Sequence, residues 1–79
     1  MKTHGTDILT RFGQVVRMKR IALDLTQEEL AEKADLHRTY VADIERGTRN
    51  VSLRNIERLA NALRCSIPTL FADIEKGAK

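Results

Sequence analysis

Thr26–Gly47, TQEELAEKADLHRTYVADIERG, carries the local signals from which the rest of this 79-residue chain can be placed. Thr26 is suited to cap a helix, and Glu29, three residues on, can reach back to close a capping box, so a helix is predicted to begin at Gln27. Leu30, Ala31 and Ala34 then share one side and Glu28, Glu29, Glu32 and Lys33 the other, as in a short amphipathic helix packed by one stripe. It should stop at Asp35. A second run, with Val41 and Ile44 three apart and Tyr40 beside them, ends at Gly47, a residue suited to the left-handed turn after a helix. Two short helices joined by a tight turn are predicted.

The run LTQEELAEKA, a turn, and then HRTYVADIERGTRNVSLRNIERLANAL resembles the helix-turn-helix domain shared by phage repressors and xenobiotic-response-element regulators. Within that group, RTY and ERGTRN are most similar to the small controller proteins of restriction-modification systems. The resemblance runs from about Phe12 to Phe71 and implies an all-α helix-turn-helix fold that binds DNA. It further implies that Arg20 pairs with Glu45, tying the first helix to the end of the recognition helix. Two positions depart from the family pattern. Asp35 stands where glycine is usual in the turn, which aspartate can tolerate in the left-handed region. His37 stands where Ser or Thr usually caps the recognition helix, leaving that start less well tied.

Working outward, residues 1 to 6 are polar and should be a flexible N-terminus. From Asp7 to about Ala22, Ile8, Phe12, Val15, Val16 and Ile21 recur at helical spacing, predicting a first helix with one buried face and an exit at Leu23 to Leu25. After Gly47, TRNVSL has no helical pattern; Ser52 then caps a fourth helix whose core stripe is Leu53, Ile56, Leu59, Ala60 and Leu63. Ser66 caps a last helix, with Pro68 in its first turn and Leu70, Phe71 and Ile74 as apolar contacts. The expectation is a compact all-α bundle of five helices over residues 7–75, with a loose tail at 76–79.

Fourteen basic against eleven acidic side chains permit a polyanionic partner without demanding one. Their distribution says more: six arginines face three acids between Arg38 and Arg64, while the helix from Gln27 has an acidic outer face. Arg54, Arg58 and Arg64 read equally well as solvated surface residues. The single Cys65 excludes an internal disulfide and reads as a small buried hydrophobe. His4, His37 and Cys65 have no ligand spacing, so no metal and no cofactor are expected. No stretch has the length or apolarity of a membrane span, and MKTHGTDIL lacks the apolar core of a signal peptide, which places the protein in the cytoplasm, on the nucleoid when bound to DNA.

A helix fits the major groove, where each base pair shows its own pattern of donors, acceptors and methyl groups. His37, Arg38 and Thr39, at the start of the recognition helix, are the candidate base readers. The Arg38 fork can donate twice to guanine, or touch a phosphate; Thr39 can meet a thymine methyl. Asp43, one turn on, can accept from a cytosine amino group or restrain a neighbouring arginine. Gln27, Tyr40, Arg46, Asn50 and Ser52 are the candidate phosphate contacts, Ser52 doubling as a cap. The resemblance adds base contact by Arg49.

One such helix makes few contacts, so a homodimer on two half-sites is expected, with Ile67, Phe71 and Ile74 as its candidate surface, or as the completion of a small core. The reading that follows is a dimeric, sequence-specific transcriptional regulator. Similarity to controller proteins implies autoregulation and timing of a restriction gene. Activation would need a surface for RNA polymerase, for which Glu28, Glu29 and Glu32 are candidates. The competing reading is an antitoxin-like or adaptor protein with secondary DNA binding, whose mark would be an added tail or a large apolar patch. No nucleophile with a base points to an enzyme, and no sensing domain points to a small-molecule ligand.

Overall fold

The computed structural model describes residues 7–76, and these form five helices: α1 (Ile8–Ala22), α2 (Gln27–Ala34), α3 (Arg38–Glu45), α4 (Leu53–Ala62) and α5 (Ile67–Lys76). Four of the five starts have a side-chain cap. The Asp7 carboxylate accepts from the Leu9 amide, the Ser52 hydroxyl from Asn55 and the Ser66 hydroxyl from Thr69. The capping box at α2 is complete: the Glu29 amide donates to Thr26 Oγ1 at 3.0 Å and the Thr26 amide to Glu29 Oε1 at 2.8 Å. At α3 His37 makes no side-chain cap, as the departure from the family pattern implied.

Helix exits rely on the left-handed region. Asp35 ends α2 at φ 59°, and Leu36 N–H donates to Ala31 O at 2.8 Å, turning the chain into α3. Asp24 and Arg64 take the same conformation after α1 and α4, and Gly47 does so after α3.

The core is built from every helix: Phe12, Val15 and Val16 from α1, Leu30, Ala31 and Ala34 from α2, Val41 and Ile44 from α3, Leu59 and Ala60 from α4, and Leu70 and Ile74 from α5, with Leu63 beyond α4. A buried leucine or isoleucine contributes about 1.5–3 kcal/mol through burial, so this set holds the bundle closed.

Three expectations about burial are corrected. Ile8 and Ile21, at the two ends of α1, are about half exposed, because the buried stripe narrows to the central turns. Leu53, placed in the α4 core stripe, is 80% exposed, since it opens the helix where nothing covers it. Ile74 is only 2% exposed and belongs to the core, so it is withdrawn from the candidate dimer surface, whereas Ile67 and Phe71 remain exposed. Lys76, assigned to the tail, is the last residue of α5. The loose ends expected at 1–6 and 77–79 lie outside the described residues.

Candidate nucleic-acid interface

Three helices are fastened together at the end of α3. Glu45, at the end of α3, has a side chain 4% exposed, and its carboxylate accepts from Arg20 of α1 through Nε at 2.7 Å and Nη2 at 3.0 Å. This fork-on-fork pair is the geometry in which arginine holds a carboxylate most firmly, and it pushes the Arg20 guanidinium further up from its ordinary value. Arg20 Nη1 also donates to the Leu25 carbonyl at 2.8 Å, so the arginine secures the α1–α2 connection as well.

Gln27 joins the same anion. Its Nε2 donates to Glu45 Oε1 at 3.0 Å, using one of the two amide hydrogens and leaving the other for the phosphate contact expected of this residue. The pattern of the sequence carried no signal for this contact, because the two residues are eighteen positions apart and meet only once α2 and α3 are folded together.

On the outer side of α3, His37, Arg38 and Thr39 are exposed at the helix start. One turn later the Asp43 carboxylate accepts from two guanidiniums, Arg46 at the end of α3 and Arg49 in the following loop, the latter at 3.2 Å. Of the two roles weighed for Asp43, this geometry is that of the arginine restraint. Arg49 also lies over the Tyr40 ring, 4.9 Å from its centre, where the ring's electron-rich face attracts a cation. The Tyr40 hydroxyl accepts from Asn55 Nδ2 at 3.0 Å, and the Asn55 carbonyl oxygen accepts from Arg58 at 3.4 Å.

A continuous polar chain therefore runs from α4 through Tyr40 to the loop carrying Arg49. Asn55 was outside the expected site, and Arg58 read equally well as a solvated surface residue. Both line an open cleft with His37, Thr39, Tyr40 and Arg49, a juxtaposition of α3, loop and α4 that spacing along one helix does not reveal. Asn50 and Ser52 are exposed in the same loop, Ser52 with its hydroxyl engaged as the α4 cap.

The face thus presents a helix start with free polar side chains, flanked by restrained arginines and seated on a rigid bracket. The sequence model of a helix-turn-helix family matches residues 16–70. The chain belongs to the helix-turn-helix family.

Within it, the chain is 60% identical over 53 residues to Control protein C.BamHI of Bacillus amyloliquefaciens, a match spanning 66% of this chain and 65% of that protein. It is 45% identical over 71 residues to Control protein C.MunI of a Mycoplasma species, spanning 89% and 96% respectively. Among solved structures it is similar to the restriction-modification controller protein C.Esp1396I, seen as a tetramer with its natural 35 base-pair operator, at 32% identity and a TM-score of 0.83, covering 90% of this chain and 93% of that one. The helix-turn-helix is α2 and α3, with Asp35 in its turn.

Proposed function

We propose that this chain is a sequence-specific, DNA-binding transcription regulator of the controller type, acting as a homodimer on a pseudo-palindromic operator beside its own gene. The observation that carries the reading is the exposed start of α3, with Arg38 and Thr39 projecting from a helix that Glu45 locks to α1 and α2. Arg38 and Thr39 read base edges, His37 contributes beside them, Arg49 reaches a base as well as the backbone, and Arg46, Asn50 and the Tyr40 neighbourhood meet the backbone. Similarity to a controller protein crystallised on its operator supports the assignment.

Two recognition helices must reach successive major-groove faces roughly 34 Å apart, which requires a second subunit. The exposed Leu53, Ile67 and Phe71 are the apolar groups offered for that contact. The exposed acids Glu28, Glu29 and Glu32 on α2 point away from the core and are offered to RNA polymerase for activation. Timing of a restriction gene follows from likeness to controller proteins, and the bound protein resides on the nucleoid.

The test is footprinting on the DNA upstream of the protein's own gene over a range of protein concentrations. Protection of two symmetric half-sites, with cooperative filling of any second site, is expected. Uniform weak protection would remove sequence reading. Affinity should fall steeply as salt rises, since counterions are released when cations meet phosphates.

A further inference from the structure

We propose that Asp43 sets the specificity of this face by holding Arg46 and Arg49 back from sequence-independent phosphate contact. The inference rests on reading the face as a DNA interface. One carboxylate serves two guanidiniums, each oxygen taking one, and the anion is the inner partner: its side chain is 18% exposed against 62% for Arg46 and 48% for Arg49. An exposed ion pair of this spacing adds little to helix stability, so a structural role does not explain why both arginines converge on it.

The consequence lies in what binding must break. A guanidinium already bonded to a carboxylate gains from a phosphate only the difference between two charge-assisted hydrogen bonds. Asp43, once released, faces a polyanion. That cost is the same on every duplex, and it is offset only where a base amino group, such as that of cytosine, comes within reach of the carboxylate. Arg49 keeps its place on Tyr40 after letting go, whereas Arg46 has Asp43 as its one side-chain partner among the described residues. Asp43 therefore taxes generic binding and spares the cognate site.

Asp43→Asn keeps the shape and removes the charge. Wild type and variant are titrated against a footprinted duplex from upstream of the gene and a shuffled duplex of the same composition, over a salt series. The variant should bind the shuffled duplex about ten-fold more tightly near 0.1 M salt, with a log–log salt slope steeper by about one. Its preference for the footprinted duplex should shrink accordingly. Replacing Arg46 and Arg49 by glutamine in the variant should abolish the gain, and Asp43→Ser should reproduce it without a new amide donor. Circular dichroism confirms that each variant is folded. Equal gains on both duplexes, or an unchanged shuffled affinity, overturn the role of Asp43 alone. Failure of the wild type to distinguish the duplexes overturns the sequence-specific reading, and this inference with it.

Discussion

A Cβ placed on Gly13 would lie 2.2 Å from the carbonyl oxygen of Ile44 and 2.8 Å from that of Glu45. α1 thus crosses the end of the recognition helix backbone to backbone, at a distance only glycine allows. The same closeness recurs at Gly47, whose Cβ would meet Thr10 at 2.8 Å.

Gly13→Ala should therefore destabilise the protein by about 1–3 kcal/mol, as overpacking does, despite alanine's better helix propensity. Urea unfolding measures it. A stability equal to or above wild type would mean that α1 and α3 can separate without cost.

Removing Glu45 leaves the Arg20 guanidinium and the Gln27 amide without their shared acceptor. Glu45→Ala should cost about 3 kcal/mol or more, the scale for breaking one side of a buried pair, while Glu45→Gln should cost less by keeping one acceptor oxygen. Thermal unfolding of the two variants checks the order.

Arg38→Ala should lose about 1–3 kcal/mol on the cognate duplex and relax the preference at one base pair. Gln27→Ala should instead weaken binding to all duplexes alike and lower stability, because its amide supports Glu45. Selection from a randomised half-site separates them. Uniform weakening by both would count against base reading by Arg38.

Lys19 Nζ lies 2.7 Å from Asp73 Oδ2, joining α1 to α5. The hydrogen bond from Lys19 holds the Asp73 carboxyl below its ordinary value of about 3.9. Below that value the unfolded chain takes up the proton first, so the pair's contribution is present above about pH 4 and is lost as the pH falls through the folded-state value. Melting temperatures of wild type and Asp73→Asn should differ at pH 6 and converge toward strongly acidic pH. A constant difference would exclude the ion pair as its cause.

The bounds of α2 and α3 were legible because their signals are local: a capping box at Thr26 and Glu29, a turn at Asp35 and a glycine at 47 each act within one or two turns. The Arg20–Glu45 pair was legible only through family resemblance, since nothing in its spacing announces it. Periodicity marked which side of α1 and α4 is apolar but not how far neighbouring helices cover it, hence the misplacing of Ile8, Ile21 and Leu53. Gly13 was passed over for the same reason: a glycine inside a helix shows its purpose only when another backbone is seen against it. Within the candidate site, the bonds from Gln27 to Glu45 and from Asn55 to Tyr40 join separate helices, so they emerge only from the packing.

With Arg20, Gln27 and Glu45 clasping three helices as one piece, α1, α2 and α3 should move together. On the proposed dimer, any mismatch between two such subunits and straight B-form geometry would fall on the contact between the subunits and on the nucleic acid. Pyrimidine–purine steps, which kink most readily, would be favoured midway between the half-sites, at positions no side chain touches.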